Sequence, residues 1–166
     1  MNAKEDADLE IRTIQASDNI QVAQVIRTVM TTFDCVGEGF SIADPEVDHM
    51  YEAYANDKSR FYVVANADTV FGCGGIGPLI GGDDKVCELK KMYFYPEIRG
   101  RGFGSQLMDR CLQKAINLGY KKCYIETLGT MSKANKLYKS YGFKKLERQI
   151  GNTGHNGCDT FYIKDL

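Results

Sequence analysis

The chain has 166 residues, 43% of them hydrophobic and 26% charged, with a formal net charge of −1. That length is enough to bury a core as one domain over residues 1–166 without staples, and the composition is that of an ordinary soluble globular protein. The near-neutral balance argues against nucleic acid as the main partner, and no apolar run reaches the length of a membrane span.

The acidic stretch 1–10 lacks a positive region followed by an apolar one, so no signal peptide is expected and the cytoplasm is the expected location. Six cysteines occur without a C-x-x-C pair, and only His49 and His155 could join them as ligands. We therefore expect no metal site and read most cysteines as small buried hydrophobes. The net charge hides a segregation. Residues 1–84 carry 5 Lys/Arg against 15 Asp/Glu, and residues 85–148 carry 15 against 5. Two readings fit: chance patterning of solvated faces, or a basic half for a polyanion beside an acidic half for a cation.

Leu9 to Ile14 alternates with period two and predicts a first strand. Ser17 or Asp18 can cap a helix carrying Ile20, Ala23, Val25, Ile26, Val29, Met30 and Phe33, broken by Gly37 and Gly39. Asp44-Pro45 is a second helix start, Asp as cap and Pro at the first helical position, running through Val47, Met50, Tyr51 and Tyr54. Strands are expected at 61–65 and 70–76 around a turn, and at 86–95, where Pro96 ends the run. Helical spacing of Phe103, Leu107, Cys111, Ala115 and Leu118 follows, stopped by Gly119. Residues 123–128 return to strand, Ser132 caps a short helix through Tyr141, and strands around 143–150 and 159–163 close the domain. The unit 86–128 reads as strand, helix, strand, so its two strands should be parallel, whereas the earlier hairpins are antiparallel.

The loop Arg99-Gly100-Arg101-Gly102-Phe103-Gly104 lies between a strand and a helix start. Glycines there let the backbone approach a ligand, and a helix N-terminus adds free donors and a positive dipole end. Two arginines add charge, so a phosphate-bearing ligand is the direct inference. A Walker loop would need Gly-Lys-Ser/Thr, which is absent. A dinucleotide fold would carry its glycines after the first strand of a parallel sheet. On the loop alone, a glycine-rich helix start without a ligand stays open.

The stretch Glu88-Leu-Lys-Lys-Met-Tyr-Phe-Tyr-Pro-Glu-Ile-Arg-Gly-Arg-Gly-Phe-Gly104 resembles motif A of the GCN5-related N-acetyltransferases, whose signature is Gln/Arg-x-x-Gly-x-Gly/Ala. Downstream, Ala134-Asn-Lys-Leu-Tyr138-Lys-Ser-Tyr-Gly142-Phe143 resembles their motif B. Both occur in the right order, separated by one strand, and the order of elements is similar over essentially the whole chain. The resemblance implies an α/β (α+β) fold: a mixed, mostly antiparallel twisted sheet of six or seven strands, with helices on both faces and a splay between the fourth and fifth strands.

It also implies acetyl-CoA (coenzyme A) as cofactor. Backbone N–H groups from Arg99, Gly100, Arg101, Gly102, Phe103 and Gly104, with Ser105, would hold the pyrophosphate, and main-chain groups of Met92 and Phe94 would pair with pantetheine. Tyr138 matches the general-acid position, and a tyrosine is protonated at neutral pH; without the motif it would read as a core tyrosine. Glu88 matches the catalytic glutamate of the histone-modifying branch, where a carboxylate can take the acceptor's proton. Alternation puts Glu88 on the face of Met92 and Phe94 as long as no bulge intervenes. Met131 stands where the family often has Asn, which bears on one side-chain contact to the cofactor.

The implied reaction is direct transfer in a ternary complex. An amine attacks the thioester, a main-chain N–H near Phe94 stabilises the oxyanion, and Tyr138 protonates the sulfur. Residues 34–57 hold Asp34, Glu38, Asp44, Glu46, Asp48, Glu52 and Asp57 and no Lys or Arg. In the family this region forms much of the acceptor wall, so a small-molecule cationic amine is expected, with a protein lysine or N-terminus, or a non-catalytic acyl-CoA-binding module, as alternatives. Glu126 and Thr127 can face either ligand; His155 and Cys158 read as packing or loop residues. Members of the family commonly form a homodimer.

Overall fold

The computed structural model of the protein describes residues 9–166. Most of the acidic stretch at the N-terminus therefore lies outside the described residues. Seven strands form one sheet: β1 (Glu10–Thr13), β2 (Arg60–Ala65), β3 (Val70–Pro78), β4 (Val86–Phe94), β5 (Lys122–Thr127), β6 (Lys144–Leu146) and β7 (Thr160–Asp165), in the spatial order β1-β2-β3-β4-β5-β7-β6. Every neighbouring pair is antiparallel except β4 and β5, which run parallel as the strand–helix–strand unit requires.

That parallel pairing is short. It joins Val86, Cys87 and Glu88 to Lys122, Cys123 and Tyr124 and then stops. Beyond Glu88 the two strands separate, leaving the second half of β4 paired only with β3. The expected splay is present.

Helices cover both faces. α1 (Asn19–Thr32) and α2 (Met50–Tyr54) cover one, α3 (Phe103–Asn117) and α4 (Ser132–Ser140) the other. Period-two alternation in the strands feeds two main cores, beside a small third cluster of Leu79, Val86 and Tyr124. Phe61, Val63, Ala65 and Cys73 pack with Val22, Val25, Ile26 and Met50. Val64, Ile76, Cys87, Leu89 and Ile125 pack with Leu107, Met108, Cys111 and Tyr138. Five cysteines are buried, Cys158 is half-buried, and none is bridged. No helix among the described residues is long and apolar enough to cross a membrane.

Three helix starts differ from the sequence expectation. Residues 44–54 do not form one helix: a 3-10 turn at Pro45–Asp48 and α2 are separated by His49. Asp44 makes no capping bond because its carboxylate is drawn to Lys91 and His155. At α1, a 3-10 turn (Ala16–Asp18) precedes the helix. Asp18 turns back to accept from the Gln15 N–H at 2.7 Å and pairs with Arg12. Ser132 opens α4 as its first residue, with Met131 at the cap position.

Candidate active site

A cleft of about 490 Å³ follows the splay. The open edge of β4 (Met92, Phe94), the loop at Arg99, Gly100 and Gly102, and the starts of α3 and α4 form its walls. Gly100 and Gly102 hold φ of 77° and 86°, left-handed values that admit glycine freely, and a Cβ at Gly100 would meet nothing within 4 Å. Gly102 caps α3, and its carbonyl takes the Gln106 N–H at 3.1 Å. The first-turn N–H groups of Phe103, Gly104 and Ser105 have no intrahelical acceptor and sit at the positive end of a 15-residue helix. Bare backbone donors, open space and a helix N-terminus fit a pyrophosphate. The Arg99 Nε donates to the Phe94 carbonyl at 2.8 Å and braces the loop against β4, and its backbone N–H donates to the Pro96 carbonyl at 3.2 Å. The Arg101 guanidinium lies 5.5 Å from the centre of the Phe103 ring.

The Tyr95 N–H donates to Phe71 on β3 at 2.9 Å. By alternation the Phe94 N–H therefore points to the open edge of the cleft. Two residues fix the opposite wall. Asn135 donates to the carbonyls of Leu128 and Met131 at 2.8 Å each and accepts from the Tyr162 hydroxyl at 2.7 Å. Tyr141 donates to Asp109 on α3 at 2.7 Å.

A smaller chamber of about 50 Å³ opens on the other side of the splay, lined by Glu88, Glu126, Thr127, His155, Cys158, Phe40 and Ser41 among others. Met92, Tyr93, Met131, Ala134 and Tyr138 line both spaces. Tyr138 is thus part of the partition, buried edge-on against Phe143 and Tyr162 at centroid distances of 6.2 and 5.8 Å. Its hydroxyl has no hydrogen-bond partner among the described residues, and burial raises its pKa further, so it carries its proton at neutral pH.

Glu88 lies in the inner chamber, on the face opposite Met92 and Phe94. The parity expectation fails because β4 carries a bulge. Gly75 pairs with Lys90 but Cys73 pairs with Tyr93, so three residue steps on β4 face two on β3. Lys91 takes up the extra residue with φ 54°. Glu88 is 2% exposed, and its Oε2 has no hydrogen-bond partner among the described residues. Burial raises its pKa to about 7; Lys90, His155 and Lys91 restrain the rise, and Glu126 adds to it. A carboxyl poised near neutrality with a free lone pair is a competent base.

Around it stands an ion network that the sequence reading did not anticipate. The ammonium of Lys91, wholly buried, pairs with Asp44 and, at 2.8 Å, with Glu46. Burial opposes its charge, but Glu46 and Asp44 more than compensate and raise its pKa. Asp44 also meets His155 Nε2 at 3.0 Å, and His155 Nδ1 meets Glu126 at 3.3 Å. Glu126 is further satisfied by Tyr124, Gln149 and Thr153 at 2.8 to 2.9 Å. Burial lowers the pKa of His155, but Asp44 and Glu126 outweigh it and bring it to about 9. Glu88, Glu126 and His155 bring ligand-type atoms within 4.8 Å of one another. Both ring nitrogens of His155 already face carboxylates, so the imidazole has no lone pair free for a cation.

The acids of residues 34–57 do not line the chamber. Asp48 pairs with Arg27, Glu52 accepts from Asn19, and Asp34, Glu38 and Asp57 are exposed. From this region Cys35, Phe40 and Ser41 line it. The one signal for the network was Lys91 itself: a lysine inside an apolar strand must find carboxylates.

Residues 26–143 match the model of the Acetyltransferase (GNAT) family. The chain is 36% identical over 157 residues, covering 94% of each protein, to a protein of Escherichia coli K12 named an uncharacterized N-acetyltransferase, YjgM. A GNAT-family acetyltransferase from Staphylococcus aureus Mu50 superposes with a TM-score of 0.81 at 18% identity, over 95% of this chain and 98% of that one. The acetyltransferase YncA of Salmonella typhimurium, solved with acetyl-CoA, superposes at 0.74 with 19% identity, over 96% and 94%.

Proposed function

Because the chain belongs to the GNAT family of N-acetyltransferases, we propose that it transfers the acetyl group of acetyl-CoA directly to a small primary amine held beside Glu88. Acetyl-CoA supplies an activated acetyl thioester and departs as a thiol. The observation that carries the reading is the shared partition: Tyr138 borders both the cleft with the glycine loop and the chamber with Glu88.

In this reading the N–H groups of Gly102, Phe103, Gly104 and Ser105 hold the pyrophosphate, and the open edge at Met92 and Phe94 takes the pantetheine arm as an added strand. Glu88 Oε2 accepts the proton of the acceptor ammonium, which a pKa of about 7 allows. The Tyr138 hydroxyl delivers a proton to the leaving sulfur. The Phe94 N–H is oriented toward developing negative charge at the acetyl oxygen.

The case for a cationic acceptor now rests on Glu88 rather than on residues 34–57. Glu126 has its lone pairs filled, while Glu88 keeps a free one in a confined chamber. That favours the ammonium of a slender amine over a bulky one. The test is acetyl-CoA-dependent thiol release over a panel of polyamines, amino acids, aminoglycosides and lysine peptides. Turnover with a small amine is the expected result; thiol release only with peptides, or with none of the panel, would overturn the reading.

A further inference from the structure

We propose that His155 is a positioning residue of the acceptor chamber: gripped by Asp44 and Glu126, it joins two loops over the chamber and presents a fixed cation to the carboxylate of Glu88. The inference rests on the reading of Glu88 as base.

The loops around residues 37–48 and 149–158 are far apart in sequence and share no strand pairing. Three contacts join them. The Gly157 N–H donates to the Gly39 carbonyl at 2.9 Å. The Phe40 ring packs on Gly157 so closely that a Cβ there would come within 2.4 Å of it. Between these loops and β5, His155 touches both Asp44 and Glu126. Phe40 and His155 both line the chamber, so this junction is its wall.

The charge on His155 follows from its partners. A neutral imidazole has one N–H and one lone pair, and a lone pair facing a carboxylate is repelled. With a carboxylate on each side, the doubly protonated ring is the stable form. The groups facing it are Asp44 from the loop before α2, Glu126 from β5 and Glu88 from β4. Those facing Glu88 are Lys90 and Lys91 on its own strand, Glu126 and Tyr124 on β5, His155 and Cys158 of the last loop, and Tyr54 of α2.

Removing the imidazolium leaves Asp44 with Lys91, and Glu126 with Tyr124, Gln149 and Thr153. The wall therefore keeps most of its bonds while Glu88 loses a nearby cation. The loss falls on protonation more than on folding.

The test compares the pH profile of kcat/KM for the wild type, His155→Gln and Glu88→Gln, with the best amine of the panel. It is paired with ¹⁵N NMR of the two imidazoles in the wild type, assigned through His49→Gln. In His155→Gln the acid limb should move to higher pH by about half a unit to one unit, because one cation at this range is removed. The KM for acetyl-CoA should not change. In the wild type both ring nitrogens of His155 should be protonated at neutral pH. An acid limb that Glu88→Gln abolishes and His155→Gln leaves in place would sink the role of His155 alone. An acid limb that Glu88→Gln leaves intact would sink the base assignment itself. Should His155→Gln not fold, the NMR result decides: a neutral imidazole at neutral pH overturns the proposal.

Discussion

Asp44 and His155 stand 111 residues apart in the chain, and their side chains meet at 3.0 Å. That contact links the acid-rich segment before α2 to the last loop of the sheet, and with Glu126 it favours the charged form of the histidine that borders the chamber.

The histidine should leave a mark on stability. Its pKa rises from 6.5 to about 9 on folding. The folded state therefore holds the proton more tightly. The stabilisation is complete below the unfolded pKa and is lost as pH rises through about 9. Thermal melts should show Tm falling across that window in the wild type and a flatter profile in His155→Gln. A wild-type Tm that does not fall there would contradict the charged imidazole.

Glu88 has the opposite character to a salt-bridged acid. Its pKa is raised from 4.5 to about 7, so the folded state loses stability as pH rises between those values. Glu88→Gln should then be more heat-stable than the wild type above neutrality, while kcat/KM falls by about 10²-fold. Parallel melts and thiol-release assays read both at once. A variant that is less active and also less stable at alkaline pH would point to packing instead.

Tyr138 donates no hydrogen bond among the described residues, so removing its oxygen should leave the fold intact. Tyr138→Phe should lower kcat by about 10²-fold, in the range of a lost general acid, with KM for acetyl-CoA little altered. Full turnover in this variant would take Tyr138 out of the proton-donor role.

Gly102 caps α3 at φ 86°. Alanine there costs about 1–2 kcal/mol in the left-handed region and tilts the N–H groups that follow. Gly102→Ala should weaken coenzyme A binding by about tenfold in titration calorimetry, with the rate at saturating cofactor largely retained. Unchanged affinity would argue that the loop does not carry the pyrophosphate.

Local signals made much of this fold legible. Period-two runs, a change to helical period after Gly104 and glycine stops at Gly119 and Gly142 are properties of neighbouring residues, and the elements form close to where those signals stand. The expectation of one helix over residues 44–54 fails because a cap rule weighs Asp44 only against the next turn. In the folded chain, Lys91 and His155 compete for the same carboxylate and win it.

By itself the sequence determined the glycine loop before α3, the strand–helix–strand unit around it and the motif pair that points to coenzyme A, since each is written in adjacent residues. Tertiary structure alone decided which side of the sheet Glu88 faces and which charges surround it. Side-chain direction along a strand depends on counting, and the bulge at Lys91 adds one residue without a glycine to mark it. A buried lysine announces that carboxylates must come, but only the folded chain shows that Asp44 and Glu46 supply them and that Asp44 reaches on to His155.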